Sequence, residues 1–443
     1  GINAEYGETK MGPQSSFVTE WDKTEKRIIA FERNITRESA KLIFKSLCEH
    51  NIPTLEDFCW TLREAAKHFR SQPNHVEVDV QQTDRVVFVG DMHGCFETLI
   101  RMFAGFSDET TTVERVGFPG EIVDGLRNVF MFNGDFVDRG GSGYQVVYML
   151  AVLTLADTEH KCVYLNRGNH EAELFGMAVP PQAQQNQPGQ QTGATMGLKF
   201  LQEVYDKFPT VDYQTYRPAV ADFFCSLPIC HTFDKYTFVS HGGVPIANDP
   251  ATVMSQQTQQ NQFMNQKVQV NYNSNVTPFP VASLQNLSPP RFNTMDFEDQ
   301  PKLKNLAWHQ FLWSYDRLPY AAKFLEFNNF KTLVCSHTAT PFYFVTTFLP
   351  IETPEGYGIQ SIANNAEKFA QVRDFFEEHP NLQKLKLNII EIFSSPTNNG
   401  GVYAAIIKGK PGQQGQRIDH DPLHWEYRAL GQAASFKFAQ TPQ

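Results

Sequence analysis

A chain of 443 residues, 41% hydrophobic and 19% charged, has the composition of a soluble globular protein with a large core, built as about three domains of roughly 150 residues or as one big α/β sandwich. The net charge of −10 and the lack of any basic tract exclude a general nucleic-acid-binding surface, and no apolar stretch reaches the roughly 18 residues of a membrane span. Seven cysteines (48, 59, 95, 162, 225, 230 and 335) include no C-x-x-C pair and read as reduced thiols of an intracellular protein, cytoplasmic or nuclear.

Residues 1–19 read as a flexible start, followed by a helical lead-in over 20–75 that packs on what comes after. Within it, "RESAKLIFKSLCEH" patterns as one helix and "TLEDFCWTLREAAKHF" as a second. Thr54, with Asp57 three residues on, suggests a capping box, and Phe58, Leu62, Ala65 and Phe69 recur at helical spacing.

From residue 85 the pattern changes to short apolar runs that end in polar or glycine clusters: "RVVFVGDMHG", "NVFMFNGDFVDRGG", "CVYLNRGNHE", "YTFVSHGG", "TLVCSHT" and "NIIEIFSSP". Runs of this length, rich in Val and Phe, suit strands buried on both faces. The stretches "GCFETLIRMFAGF" and "GYQVVYMLAVLTLA" intervene as helices, so the fold class is α/β with layered sheets. Two Gln/Asn-rich stretches, 180–195 and 255–275, read as surface insertions, and "NNAEKFAQVRDFFEEH" reads as a helix inside a further insertion over about 347–385.

Five strand ends deliver metal-type ligands in order: Asp91 with His93, then Asp135, Asn169, His241 and His337. Each follows an apolar run, so the side chains can converge on one edge of the sheets, where α/β proteins place their sites. Carboxylate, imidazole and amide donors without thiolates suit Mn, Fe or Zn. Any one of these motifs alone is an ordinary turn; five in succession after buried strands are not. His170, beside Asn169, could by itself bind a metal, move a proton or cap a turn.

The ordered set "GDMHG", "GDFVDRG", "RGNHE", "HGG" and "SHT" resembles the signature of the phosphoprotein phosphatases, metal-dependent serine/threonine phosphatases within the calcineurin-like metallophosphoesterases. "FRSQPNHVEV", "FFCSLPICHTFDKYTFVSHGG" and "FLWSYDRLP" extend the resemblance over roughly residues 55–410. It implies two packed mixed β-sheets flanked by helices, with a catalytic domain over 76–410 interrupted at about 106–128, 180–195, 255–300 and 347–385; beyond it, the tail over 411–443 could by its own sequence be a linker plus a docking helix. It implies two metal ions: Asp91 and His93 hold one, Asn169, His241 and His337 the other, and Asp135 bridges both. A water between them would become the attacking hydroxide. His170 would then be the general acid, oriented by Asp138, with Arg139 gripping the phosphate and Arg317 as the second phosphate arginine. Arg167 and Glu171 would brace the loop, and Gly94 and Gly140 would serve backbone geometry. The implied partners are phosphoprotein substrates and regulatory subunits. Phosphotyrosine or dinucleoside-polyphosphate hydrolysis on the same metals, and an inactive phosphoprotein-binding scaffold, are the alternatives.

Two departures stand out. The place of the family's overhanging tyrosine reads Asn398, or is deleted, in a shortened loop, "SSPTNNGGVYAA", which predicts weak inhibition by the family's cyclic-peptide toxins. Extra residues after "GDMHG", including "SDETTTVERVGFPGE", are expected at the cleft rim. Nine histidines outside the motifs (50, 68, 75, 160, 231, 309, 379, 420 and 424) are expected in structural or solvated roles.

Overall fold

A computed structural model describes residues 18–173, 200–244, 246–247, 277–285, 311, 318–338, 343–349, 359–363, 366–397, 401–409, 418–436 and 438–439. Eight helices and twelve strands carry the argument. The helices are α1 (Arg37–Cys48), α2 (Leu55–Ser71), α3 (Phe96–Ala104), α4 (Gly143–Ala156), α5 (Phe200–Lys207), α6 (Arg217–Ser226), α7 (Leu318–Phe327) and α8 (Ala366–Glu378). The strands are β1 (His75–Val78), β2 (Asp84–Val89), β3 (Leu126–Phe132), β4 (Val163–Leu165), β5 (Cys230–Phe233) and β6 (Thr237–Ser240). They continue as β7 (Thr332–Cys335), β8 (Phe344–Phe348), β9 (Ile359–Ala363), β10 (Leu387–Glu391), β11 (Gly401–Lys408) and β12 (Glu426–Gln432).

The strands form two mixed sheets, as the α/β expectation requires. One runs β4-β3-β2-β11-β12 and the other β9-β8-β10-β7-β6-β5-β1. In the first, β4, β3 and β2 are parallel; in the second, β6, β7 and β10 are parallel. Alternation along the strands explains the unbroken apolar runs. Val86, Phe88, Val129 and Met131 point into the layer between the sheets, where they meet Val239, Val334 and Ile390. Val87, Val89, Phe130 and Phe132 point to the other face, under the helices.

The lead-in helices belong to that outer layer. Phe58, Leu62, Ala65 and Phe69 of α2 are all buried against α4 and α6, each aromatic or leucine contributing about 1.5–3 kcal/mol. Thr54 Oγ1 caps α2 by accepting from Asp57 N at 3.2 Å. The box is only half made, because the Asp57 carboxylate instead accepts from Phe31 N at 2.9 Å and Arg33 Nε at 2.8 Å, tying the preceding segment to the helix. Helix α4 is apolar all round and buried, and it starts without a side-chain bond from Ser142. Glu203 of α5 supplies the cap from outside, accepting from Gly143 N at 3.0 Å and Tyr144 N at 2.9 Å.

Two expectations are corrected. The segment 106–128 does not rim the strand ends that carry the motifs. Asn128, at the start of β3, donates to Val116 O at 3.0 Å and Phe118 O at 3.1 Å, and Ile122–Val123 pair with Leu126–Arg127, so this part lies at the opposite end of β2 and β3. The described residues of the tail form no docking helix either: β12 closes the first sheet against β11, and Trp425 stacks on Phe88 in the layer between the sheets. Alternating apolar residues are too few there to show a strand period. Arg101 of α3 fastens that strand's exit. Fully buried, it donates to Leu430 O, Ser435 Oγ and Ser435 O at 3.0, 2.8 and 2.7 Å, and lies between the rings of Phe106 and Phe436.

Candidate active site

Parallel pairing puts the carboxyl ends of β2, β3 and β4 on one edge, and those of β6 and β7 on the matching edge of the second sheet. A bridge between Asp91 and Phe393 brings the two edges together. Asp91, His93, Asp135, Asn169, His170, His241 and His337 all project there, each at most 8% exposed.

Their polar atoms converge. Asp135 Oδ2 lies 3.2 Å from His241 Nε2, 3.7 Å from His93 Nε2 and 3.9 Å from His170 Nε2. Asp91 Oδ2 is 3.3 Å from His93 Nε2 and has no hydrogen-bond donor among the described residues, while Asp91 Oδ1 accepts from His337 N at 2.9 Å. Two groups have the spacing to hold an ion: His93, Asp135 and His170, and Asp135, His241 and His337. Asp135 is common to both.

The donor set fits cations. The Asn169 carbonyl oxygen lies 2.7 Å from His337 Nδ1, 3.0 Å from His241 Nε2 and 3.2 Å from Asp135 Oδ2, facing acceptors that would otherwise favour the amide turned over. A positive ion between these atoms resolves the conflict. The carboxylates set the local field: although burial opposes it, Asp135 and then Asp91 raise the His241 pKa to about 9. Asp135 is held well below the ordinary carboxyl value, burial being outweighed by the rings of His241, His170 and His93. His93 is pushed down by burial and then by the Arg139 charge, which places the half-buried Arg139 within electrostatic reach of the cluster.

The turns that deliver these groups are strained. His93, Asp135, Asp138, Arg139 and His337 all have positive φ, between 44° and 72°. Such conformations cost of order 1–3 kcal/mol each and persist where surrounding structure enforces them. Glycines make room: a Cβ on Gly168 would sit 2.3 Å from Asp135 Oδ1, and one on Gly94, itself at φ 64°, would sit 2.7 Å from Gly140 O. Glu171 gathers the turn by accepting from Gly168 N, Asp135 N and Phe136 N at 2.8, 2.9 and 2.7 Å. Arg167 is wholly buried beneath it.

His170 is set apart by its other nitrogen. Nδ1 lies 2.6 Å from Asp138 Oδ2, so Nε2 carries the ring's free position toward the cluster. Burial would lower its pKa, but Asp135 and Asp138 more than offset this and raise it above the ordinary imidazole value. Arg317 and Asn398 lie outside the described residues.

Two buried residues here, Asn133 and Asn166, were not singled out in the sequence, and His231, expected only in a structural or solvated role, joins them. Asn133 O accepts from His241 Nδ1 at 2.6 Å, Asn166 Nδ2 donates to Asn133 Oδ1 at 2.9 Å, and His231 Nδ1 lies 2.7 Å from Asn166 Oδ1. The signal available was a polar residue closing each of two apolar runs.

The model of the calcineurin-like phosphoesterases matches residues 84–341, more than half of the chain and all the residues named above from Asp91 to His337. The chain belongs to that family. Among the relatives of this phosphoesterase, the serine/threonine-protein phosphatase rdgC of Drosophila melanogaster is 29% identical over 182 residues, 41% of this chain and 22% of the relative. Serine/threonine-protein phosphatase 5 of Arabidopsis thaliana is 28% identical over 175 residues, 39% of this chain and 24% of the relative. The matched stretch is therefore less than a quarter of either relative's length. A solved structure of a protein serine/threonine phosphatase from Saccharomyces cerevisiae, described as similar to human phosphatase PP5, covers 88% of this chain and 98% of its own at 16% identity and a TM-score of 0.52, which shows the fold. Among the described residues no helix is long and apolar enough to cross a membrane.

Proposed function

We infer that this phosphoesterase is a phosphoprotein phosphatase that hydrolyses phosphoserine and phosphothreonine in proteins, and that Asp91, His93, Asp135, Asn169, His241 and His337 hold two ions of Mn, Fe or Zn. The ions would supply charge for the phosphate and a hydroxide nucleophile near neutral pH. His170 Nε2 holds the proton that passes to the departing serine or threonine oxygen, and Asp138 keeps the ring oriented and its cationic form stable. Arg139 binds two phosphate oxygens through its planar guanidinium. The observation that carries this reading is the 2.6 Å His170–Asp138 pair beside the acid and imidazole cluster, since a scaffold that only binds phosphoproteins has no use for a proton donor. The relatives' names favour serine and threonine esters over the alternatives. A reducing compartment, cytoplasm or nucleus, is part of the reading and is supported by seven thiols, six of them buried. Regulatory subunits remain part of the proposal.

The test compares the metal-loaded chain on phosphoserine, phosphothreonine and phosphotyrosine peptides and on a dinucleoside tetraphosphate, with bound metal measured in parallel. Preference for the first two is expected. A higher rate on phosphotyrosine or the dinucleotide overturns the substrate assignment, and a metal-loaded but inactive chain supports the scaffold.

A further inference from the structure

We propose that Asn133, Asn166 and His231 are positioning residues that set the half of the metal site built from Asn169, His241 and His337, independently of the half built from Asp91 and His93. This rests on the metal reading above.

None of the three reaches the cluster as a ligand through its side chain, and each is at most 1% exposed at the end or start of an apolar strand. Burying three polar side chains is unfavourable unless each finds its partners. Here the donors run in one direction. Asn133 Nδ2 donates to Ser240 O at 2.9 Å and Ser336 Oγ at 3.0 Å, which leaves its Oδ1 to accept. Asn166 Nδ2 fills that position and also donates to Val239 O at 3.2 Å, which leaves Asn166 Oδ1 to accept from His231 Nδ1. Every amide orientation is thereby fixed by its neighbour.

The partners are not arbitrary. Ser240 precedes His241, Ser336 precedes His337, and Asn166 lies in the same turn as Asn169. The backbone carbonyl of Asn133 accepts from His241 Nδ1 at 2.6 Å and so turns His241 Nε2 toward the cluster as the ligand atom. One network thus joins β3 and β4 of the first sheet to β5, β6 and β7 of the second, directly behind three ligands drawn from both sheets.

The other half has different support. His93 Nδ1 lies 3.0 Å from Val137 O, and the N–H groups of Met92 and His93 both donate to Asp135 O. Ser394 Oγ accepts from Gly90 N at 2.9 Å, and its carbonyl accepts from Thr98 Oγ1 at 3.0 Å. His93 therefore depends on the turn around Asp135, and Asp91 on the turn joined to α3; the link from Asp91 to the other half is the bond its Oδ1 accepts from His337 N at 2.9 Å, a backbone bond that the asparagine side chains do not make.

The test is a stepwise Mn2+ titration of the metal-stripped full chain by calorimetry, with electron paramagnetic resonance to detect the spin-coupled pair, comparing the unmodified protein with Asn166→Leu. Loss of an outer hydrogen-bonding partner weakens metal binding by about 10–100-fold. That loss is expected for the second ion only, with the first ion held within about threefold and the coupled signal appearing only at high Mn2+. Equal affinities in variant and parent, with a lower melting temperature alone, would make the network purely structural and overturn the proposal, as would equal weakening of both ions. If Asn166→Leu fails to fold, Ser336→Ala removes a single outer bond and must weaken the second ion in the same direction; no change there also overturns it. An unmodified chain that binds no Mn2+ overturns the metal reading itself, an outcome distinct from a variant that binds like its parent.

Discussion

His170 Nδ1 lies 2.6 Å from Asp138 Oδ2, and the other oxygen of the same carboxylate accepts from Phe200 N at 2.8 Å. Asp138 is therefore held from two sides, by the ring it orients and by the first turn of α5. Asp138→Asn preserves the acceptor for Phe200 but cannot stabilise a cationic ring. We expect kcat to fall by about 10²–10⁴ with both metal ions retained. Loss of metal in that variant, or in His170→Asn, would mean that His170 serves as a ligand, a role its spacing to His93 and Asp135 allows.

Chelation should turn an amide over. Without cations, Asn169 gains by presenting its NH2 group to His337 Nδ1 at 2.7 Å and to the Asp135 carboxylate at 3.2 and 3.3 Å. The expected result is loss of activity, restored by Mn2+, together with a shift of one Asn side-chain amide in a 15N-correlated NMR spectrum that Asn169→Asp abolishes. An amide spectrum unchanged by chelation would count against Asn169 as a ligand.

Gly168→Ala is expected to remove bound metal without removing any ligand. The added methyl would meet two atoms of Asp135 at 2.3 Å, its backbone N and its side-chain Oδ1, the latter already held by His170 N at 3.0 Å. Displacing Asp135 should cost about 1–3 kcal/mol of stability and abolish the stoichiometric uptake of two ions. Full metal content in this variant would refute the bridging place given to Asp135.

How much of this was legible in the sequence depends on what kind of pattern each feature leaves. The six apolar runs mark strand ends directly, because a strand buried on both faces shows as an unbroken run, and five of them end in clusters holding Gly, Asp, Asn or His, as ligand turns require. Helix α4 was bounded to the residue for the same reason. The part played by Asn133 and Asn166 was illegible because a polar residue at the edge of an apolar run resembles a strand terminus, and only the pairing of strands distant in sequence shows that they meet each other and His231. Strand β12 was missed because its solvent-side and core-side residues, Glu426, Arg428 and Leu430, give no strong period.

Asp57 offers a pH test remote from the metals. Burial would raise its pKa, yet Phe31 N, Arg33 and Thr54 bring it below the ordinary carboxyl value. A depressed folded pKa contributes stability that is present above the unfolded value of about 3.9 and is lost as pH falls through the lower folded value. Asp57→Ala should cost about 2–3 kcal/mol at neutral pH. The melting-temperature gap between parent and variant should stay constant from pH 7 to about 5 and close below about 4. A gap that widens in acid would contradict the assignment.

Arg101→Met keeps the packing stem but deletes the donors to Leu430 and Ser435. Removing one side of so buried a cluster is expected to cost about 3–5 kcal/mol, since Glu97 is left beside it. Limited proteolysis should then cut between 426 and 439 before the rest of the chain unfolds. Cleavage elsewhere first would show that Arg101 does not fasten β12.

Asp91 Oδ1 and His337 N, one hydrogen bond apart, are separated by 246 positions along the chain. Closing so long a loop carries an entropic penalty that only the finished sheets repay, and contacts of that separation form late. On a ribosome, α1 to α4 and the strands β2 to β4 can associate while β6 and β7 are still being made. The metal centre is therefore among the last parts of the molecule to exist, and an incomplete chain carries the motifs of a phosphoesterase without yet being able to act as one.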